Sequence, residues 1–227
     1  MKLIAIETSA DACSAALRVD GEVCERFAVA PRGHSELILP MIDEVLAEGG
    51  VVRSGLDAVV FGRGPGSFTG VRIATGVAQG IGFALDIPVI PVSTLLVLAQ
   101  GVMRTAGPQK VLAAFDARMN EVYWAECRSG GGGLMVLASP ERVCDPAQVP
   151  RPDGTDWTGA GGGWQAYGDV LGDRLGDIVD RVLPDAVCHA RDAADLGASR
   201  FKAGDYVTAA EALPLYLRNS VASRPGR

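Results

Sequence analysis

The chain has 227 residues, 48% hydrophobic and 21% charged, which allows a substantial core in one large domain or two small ones. Its net charge of −6 argues against a strong independent nucleic-acid binder, because phosphate binding needs a dense cluster of Lys and Arg. Arg218, Arg224 and Arg227 make the last ten residues locally basic. This favours a solvated tail, with a tail that touches RNA as the alternative.

The cysteine pattern and the N-terminal segment predict the compartment. The five cysteines are scattered and form no CxxC pair, so we expect reduced thiols in a cytosolic protein rather than disulfides or a zinc site. MKLIAIETSAD has no secretory hydrophobic region. Charged residues and prolines divide the apolar stretch 70–99 into pieces shorter than a membrane span of about 20 residues. We therefore expect a soluble, cytoplasmic protein without membrane contact.

The first half predicts three strands, then helix, strand, helix, strand and helix. The buried run KLIAIETS precedes CSAALRV and EVCERFAVA, which are separated by the turn residues Asp20-Gly21. A helix over 35–48, closed by Gly49, leads into the strand LDAVVF. A glycine-rich loop and a helix to about Leu85 follow, and after the strand IPVIPV Ser93 caps a last helix.

The second half repeats this order more weakly. VLAAFDAR and EVYWAECR predict a hairpin around Met119-Asn120, and LMVLAS predicts a strand. Helical patterns near Ala166–Leu175 and Asp192–Ala203 follow a loop-rich stretch. This repetition predicts an α/β fold of two lobes, residues 1–105 and residues 106–227, the second with the basic tail.

Two helices of the first half carry more apolar surface than one sheet covers. Apolar residues of the 35–48 helix span an arc of about 200°, whereas packing on one sheet needs a stripe of somewhat more than 100°. On the next helix the bulky face around Ile73 and Val77 suits the sheet, and beside it small residues recur every four positions. We predict a protein–protein interface, with burial of both helices in one large core as the alternative. The predicted interface residues are Leu37, Met41, Val45, Val71, Ala74, Thr75, Ala78 and Gly82.

The glycine-rich segment GRGPGSFTGVRIATG (62–76) lies where nucleotide-binding loops are found, but it matches neither the dinucleotide fingerprint nor the P-loop. Ser67 or Thr69 is expected to cap the following helix, whose free amides attract anions. Ser67 lacks the GxSxG pattern of a nucleophile elbow, and the only histidines are His34 and His189. We expect His34 in a surface or capping position. Without a histidine pair at helical spacing, no metal site is predicted.

Six segments together resemble the TsaB family. GPGSFTG followed by RI is the most specific part, and the resemblance spans nearly the whole chain. It implies two RNase H-like lobes of the actin-like ATPase (ASKHA) superfamily. The segments are IETSADACSAAL (6–17), RGHSELILPMIDEVL (32–46), GPGSFTGVRI (64–73), IPVIPVSTLLVLA (87–99), DARMNEVYWA (116–125) and PLYLRNSVA (214–222).

The resemblance also implies a function. The family provides a non-catalytic scaffold that pairs through first-lobe helices with the catalytic subunit TsaD, and the ATPase TsaE joins them. The complex transfers a threonylcarbamoyl group, made by the separate synthase TsaC, to the adenosine beside the tRNA anticodon. Self-association through the same helices, and weak or indirect contact with tRNA, are further expectations.

The sequence departs from the catalytic relative where that relative binds ligands. Residues 92–98 (VSTLLVL) have no metal ligand in place of its histidine pair, and DARMN (116–120) replaces its Ser-Gly-Gly phosphate loop. Glu7, Thr8 and Ser9 keep the form of the first-lobe phosphate hairpin, so a weak ATP/ADP contact at a site shared within the complex is predicted. GAGGG (159–163) is expected to be a flexible turn, with a phosphate loop as the alternative.

These features favour a binding module without catalytic activity of its own and without a firmly bound cofactor. One alternative is a free-standing ATPase or kinase of the actin-like superfamily, in which Glu7 orients water or magnesium. The other is a peptidase, for which the sequence offers no nucleophile paired with a base.

Overall fold

The computed structural model describes residues 1–30 and 33–218, which fold into two β-sheets with helices on their faces and between them. In the first sheet β1, β2 and β3 are antiparallel, whereas β4 runs parallel to β1 and β5 runs parallel to β4. The predicted hairpin turn is confirmed, since Asp20 and Gly21 have φ of +50° and +108°. The strands are β1 (Lys2–Glu7), β2 (Ala12–Val19), β3 (Glu22–Val29), β4 (Ala58–Gly62) and β5 (Val89–Val92), in the order β3-β2-β1-β4-β5.

The second sheet repeats this arrangement. Its central order is β11-β10-β6-β7-β8, with β9 also paired to β7. The helix that separates the third and fourth strands in the first half has only a short 3₁₀ turn, Pro146–Gln148, as its counterpart. The strands are β6 (Lys110–Asp116), β7 (Val122–Ser129), β8 (Met135–Leu137), β9 (Arg142–Cys144), β10 (Trp157–Ala160) and β11 (Val179–Leu183).

The helices cover both sheets and join them. Two helices pack on one face of the first sheet, α1 (His34–Glu48) and α2 (Phe68–Leu85). Between the two sheets lie α3 (Thr94–Ala106) and α5 (Ala190–Lys202), in one continuous apolar cluster, whereas α4 (Gly162–Leu175) packs on the outer face of the second sheet. The duplicated α/β order is confirmed, and its strand order is that of two RNase H-like lobes.

The chain does not stay in the second lobe after β11. Although α5 belongs to the second half of the sequence, it packs against β1, β2, β4 and β5 of the first sheet. A Cβ on Gly197 would lie 2.5 Å from the Val60 side chain, so this contact requires glycine. Val207 then forms an isolated antiparallel bridge with Val89. Residues 190–207 therefore complete the first lobe, and the predicted division at 105/106 falls one residue before the end of α3.

Three strands of the second half were missed by the sequence prediction, namely β9, β10 and β11. The segment GAGGG is not a flexible turn, because its first two residues end the buried strand β10 and Gly162 begins α4. Gly161 joins the two with φ of +95°, a conformation that favours glycine. The prediction failed because β10 has only four residues and is followed directly by three glycines, a composition typical of a turn.

The C-terminal residues are described as far as Arg218. Its guanidinium donates to the carboxylate of Glu121 and to the carbonyl oxygen of Ala117, at 3.2 Å for the latter. Arg218 is therefore docked on the second lobe and is not part of a solvated tail. Arg224 and Arg227 lie outside the described residues. Of the helices in 1–30 and 33–218, none is both long and apolar enough to cross a membrane.

Candidate functional site

The glycines of the GPGSFTG loop allow α2 to approach the β1–β2 turn backbone to backbone. A Cβ on Gly66 would lie 2.2 Å from the carbonyl oxygen of Ser9, and one on Gly70 would lie 1.9 Å from that of Thr8. The Ser67 amide donates to the Ser9 carbonyl at 2.7 Å, and the Thr8 hydroxyl donates to the Gly70 carbonyl at 2.7 Å. Side chains at positions 66 or 70 would push the helix away from the turn. Close packing therefore explains the motif without a bound phosphate.

Ser67 caps α2, as predicted, and does not face a base. Its Oγ accepts a hydrogen bond from the Gly70 amide at 3.4 Å. Neither imidazole is hydrogen-bonded to a Ser or Cys side chain in the described part of the chain. His34 is buried, and its Nε2 lies 3.0 Å from the carbonyl oxygen of Ala10, to which it donates because a carbonyl only accepts. The expectation of a surface or helix-capping position for His34 was wrong.

The second histidine ties the edge strand β3 to the start of α5. The His189 ring stacks on Phe27 with a centroid distance of 4.3 Å, and its Nδ1 lies 3.2 Å from a carboxylate oxygen of Glu25. The other oxygen of Glu25 accepts the Arg191 amide at 3.1 Å, which satisfies a free N–H in the first turn of α5. His189 is therefore occupied by structural contacts.

Glu7, Thr8 and Ser9 come together but are enclosed, each at most 1% exposed. The Ser9 amide donates to Oε1 of Glu7 at 2.6 Å, and the Ser9 hydroxyl donates to the Gly62 carbonyl at 3.2 Å. A Cβ on Gly62 would lie 2.0 Å from Oε2 of Glu7, so glycine makes the room for this carboxyl group. A phosphate cannot reach these residues in this arrangement. The predicted weak ATP/ADP contact, at a site shared within the complex, stays a prediction.

Burial governs the protonation of Glu7. Loss of hydration raises the pKa of its carboxyl above the ordinary 4.5, and the hydrogen bonds from Ser9 and Thr8 oppose that rise only in part. Its Oε2 has no hydrogen-bond partner among the described residues. Above pH 4.5 the folded chain therefore holds a proton that the unfolded chain releases. The contribution of Glu7 to the free energy of unfolding therefore falls as pH rises from 4.5 through the raised pKa and then levels off.

We predict that Glu7→Gln removes this pH dependence, because the amide keeps the Ser9 acceptor and does not ionise. As pH rises above about 5, the melting temperature of the variant should rise relative to that of the original chain. Thermal melts of both proteins across that range measure the difference. If the difference between the two melting temperatures stays constant with pH, the pKa of Glu7 is not raised in the folded chain.

The start of α3, where the catalytic relative is expected to carry metal ligands, is used to join the lobes. The Ser93 hydroxyl donates to Glu141 at 2.5 Å and accepts the Leu96 amide at 3.2 Å, confirming the predicted cap. Arg63 donates to the same carboxylate at 2.6 Å, and Thr94 Oγ1 accepts the Gly64 amide at 3.1 Å. Among the described residues, no group of three or more His, Cys, Asp or Glu side chains is placed to hold a metal ion.

The DARMN turn is also filled by its own side chains. Arg118, Met119 and Asn120 have φ of +59°, +55° and +57°, so the β6–β7 hairpin turns through three left-handed residues. The Asp116 carboxylate accepts the Arg118 amide at 2.8 Å and the Tyr167 hydroxyl at 3.2 Å. The turn is present where it was predicted, and it presents side chains where the catalytic relative is expected to present glycine.

Seven of the eight predicted interface residues are buried inside this chain, and only Leu37 keeps part of its surface. Ala74 and Ala78 are 0% exposed and pack with the first sheet. The small residues were therefore wrongly assigned to the interface, because their row faces the sheet, whereas the bulky Ile73, Val77 and Ile81 pack against the same cluster only in part. Small side chains let the helix lie close to the sheet: a Cβ on Gly82 would come within 2.5 Å of Val89. The buried residues are Met41, Val45, Val71, Ala74, Thr75, Ala78 and Gly82.

The opposite side of α2 forms an exposed, largely apolar surface, which we call the α2 outer face. Phe83 is 85% exposed and Phe68 is 59% exposed, one near each end of the helix. Between them Gly76 and Gly80 have open space where a Cβ would lie. The face consists of Phe68, Arg72, Gly76, Gly80 and Phe83, and it is flanked by the half-buried Ile73, Val77 and Ile81, which also pack against the core of the first sheet. An exposed patch of this kind marks an interaction surface more often than an ordinary protein exterior.

Residues 207–218, which we call the C-terminal strap, extend this surface. The strap is fastened to α2 by the Gln79 side chain, which donates to the Ala212 carbonyl at 2.9 Å. It is fastened to the glycine-rich loop by the Leu215 amide, which donates to the Arg63 carbonyl at 2.8 Å. Tyr216 then lies beside Phe68, with ring centroids 6.2 Å apart. The sequence reading missed this contact, because strap and helix are far apart in the chain.

Comparison with known proteins gives the family. A family model described as "TsaD: tRNA N6-adenosine threonylcarbamoyltransferase" matches residues 28–155. The tRNA threonylcarbamoyladenosine biosynthesis protein TsaB of Escherichia coli (strain K12) is 41% identical, with 100% of both chains covered. The protein of the same name from Haemophilus influenzae is 39% identical over 100% of this chain and 98% of its own.

A solved structure agrees with the sequence comparisons. YeaZ from Pseudomonas aeruginosa superposes with a TM-score of 0.89 at 44% identity, covering 95% of this chain and 99% of that one. The full-length identity to named relatives and the matching fold confirm the resemblance of the sequence segments. The chain belongs to the TsaB family.

Proposed function

We propose that this chain is a non-catalytic scaffold subunit in the biosynthesis of threonylcarbamoyladenosine on tRNA, and that its α2 outer face binds the catalytic subunit TsaD. The observation that carries the proposal is the α2 outer face itself. The fold leaves two large aromatic side chains and an open glycine surface uncovered on one helix, where only Arg72 carries a charge. A second subunit is the simplest cover for such a surface.

The enclosed polar groups favour binding over catalysis. A catalytic acid, base or nucleophile must come within hydrogen-bond reach of a substrate. Here Thr8 and Ser9 are buried beneath α2, and Ser93 and Thr94 are hydrogen-bonded within the lobe junction. A free-standing ATPase or kinase would need an open phosphate hairpin. A peptidase would need a nucleophile next to a base, and neither histidine provides one in the described part of the chain.

The shape of the α2 outer face suits a partner helix. Gly76 and Gly80 lie one turn apart with open space above them, so a second helix backbone can approach closely. Phe68 and Phe83 flank that contact as aromatic anchors, a residue type enriched at binding hot spots. We place TsaD there. TsaE, ATP or ADP at a shared site and weak contact with tRNA belong to the assembled cytoplasmic complex, and a second copy of this chain is the competing occupant.

Reconstitution from purified parts tests the proposed function. The mixture contains this chain, TsaD, TsaE and TsaC with unmodified tRNA, threonine, bicarbonate and ATP, and mass spectrometry of digested tRNA measures threonylcarbamoyladenosine. We expect formation in the full mixture and only background when either this chain or TsaD is left out. Transfer by this chain without TsaD would contradict the scaffold role. Undiminished transfer without this chain would contradict its requirement.

A further inference from the structure

Arg72 lies at one end of the α2 outer face, over the ring of Phe68 and beside that of Tyr216. Its guanidinium carbon is 3.3 Å from the Phe68 ring centroid and 5.4 Å from that of Tyr216. Phe68 lies one helical turn before Arg72, whereas Tyr216 comes from the C-terminal strap. Stacking on ring faces fixes the plane of a guanidinium group and leaves the N–H groups at its edge free. The strap and the helix together therefore orient this side chain.

Arg72 has no carboxylate in contact within residues 1–30 and 33–218. Other arginines near the lobe junction and the sheet edge do have one: Arg63 binds Glu141, and Arg26 binds Glu44 and Glu48. Arg72 is also the only charged residue of α2. A single oriented cation thus stands on an otherwise apolar surface, in a chain whose net charge is −6.

We propose that Arg72 is a carboxylate-binding anchor that receives an Asp or Glu side chain of the subunit covering the α2 outer face. This inference rests on the proposed function, since it takes that face as the binding surface. A partner that covers Phe68 and Tyr216 removes water from the guanidinium group that contacts both rings. A desolvated charge without a counter-charge is costly, so a tight partner must supply an acceptor there. A carboxylate matches the two parallel N–H groups of the arginine edge.

The surroundings of Arg72 favour a protein carboxylate over a phosphate of tRNA. Sites that bind nucleic-acid backbone gather several Lys or Arg side chains, because each phosphate is neutralised separately. The neighbours of Arg72 along the face are instead Ile73, Gly76 and Val77. These residues provide apolar contact and close approach to a helix, and neither property contributes to binding a polyanion.

Titration calorimetry of the full chain with purified TsaD from the same organism tests the anchor. We expect Arg72→Ala to weaken binding at least about 30-fold and Arg72→Lys at least about 5-fold, since lysine keeps the charge but not the paired N–H groups. Arg128 is the matched control, because it stacks on Trp157 at 4.5 Å on the second lobe. Arg128→Ala should leave affinity within about twofold. Thermal melts establish that each variant is folded.

A double-mutant cycle identifies the acceptor. Each Asp and Glu on the TsaD surface is changed to Asn or Gln and titrated against the original chain and Arg72→Ala. One carboxylate whose loss weakens binding to the original chain but has no further effect in Arg72→Ala would support the anchor. If no carboxylate is coupled to Arg72 in this way, the anchor is overturned. Gly80→Glu, which places a charge in the middle of the α2 outer face, is titrated beside them. If Arg72→Ala keeps its affinity while Gly80→Glu blocks binding, the anchor is overturned and the interface is kept. If neither substitution affects binding, both proposals fail.

Labelled tRNA provides the last arm of the test. The original chain and Arg72→Ala are titrated with fluorescently labelled tRNA in the absence of TsaD. Equal binding of tRNA by both proteins supports the proposal that Arg72 binds a carboxylate of the partner subunit. If Arg72→Ala weakens tRNA binding and leaves the TsaD titration unchanged, the group that Arg72 binds is a phosphate and the proposal is overturned.

Discussion

Replacing Ala74 with Glu should unfold the chain rather than release a partner from an intact fold. Ala74 is 0% exposed and lies in the apolar cluster between α2 and the first sheet, with Ile4 and Phe61. A carboxylate placed there loses its hydration without gaining a partner. The cost of several kcal/mol is comparable to the whole stability of a typical domain, about 5–15 kcal/mol. Thermal and urea unfolding curves measure it.

Gly80→Glu is the control on the opposite side of the same helix. A side chain at position 80 meets nothing within 4 Å, so this variant should fold and gain up to about 1 kcal/mol from improved helix propensity. An Ala74→Glu protein that melts within a few degrees of the original would mean that α2 does not pack on the sheet by its small residues.

Gly70→Ala should lower stability by about 2–4 kcal/mol, equivalent to a fall in melting temperature of about 4–16 °C. The added methyl group would lie 1.9 Å from the carbonyl oxygen of Thr8. This oxygen belongs to the backbone at the end of β1, so it cannot rotate away as a flexible side chain could. Either α2 or the β1–β2 turn must shift, and the hydrogen bond from the Thr8 hydroxyl to the Gly70 carbonyl is then lost. Thermal unfolding of the purified variant checks the size of the effect.

Gly76→Ala separates close packing from the general effect of adding a methyl group to a helical glycine. It lies on the same helix with open space around its Cα, so alanine should stabilise it by about 0.5–1 kcal/mol. The two substitutions must therefore act in opposite directions. If both substitutions change stability in the same direction, the motif glycines do not form the close contact between α2 and the β1–β2 turn.

The order of elements could be predicted from local patterns. Turn residues at Asp20-Gly21 and helix caps at Ser67 and Ser93 act within a few positions, and each forms where the sequence places it. The strand order of the two sheets followed from the repetition of the halves and the resemblance. The turn and cap predictions are reliable because they depend only on residues a few positions apart in the chain.

The orientation of α2 could not be predicted in the same way. Both of its sides are apolar, so hydrophobicity does not distinguish the face that packs on the sheet from the face left outside. The size of Ile73 and Val77 led to the prediction that their side of α2 lies on the sheet. In the structure the helix lies so close to Thr8 and Val89 that its small residues face the sheet. The clamp between Arg72 and Tyr216 was also missed, since the strap returns from the far end of the chain.

Binding of purified TsaD to this chain and to its Gly80→Glu variant tests the central claim most directly. Gly80 is exposed in the middle of the α2 outer face, so a charged side chain there should block a covering helix without disturbing the fold. We expect the original chain to bind in titration calorimetry and the variant to bind at least about 100-fold more weakly. Equal affinity of the two proteins for TsaD would contradict the assignment of this face.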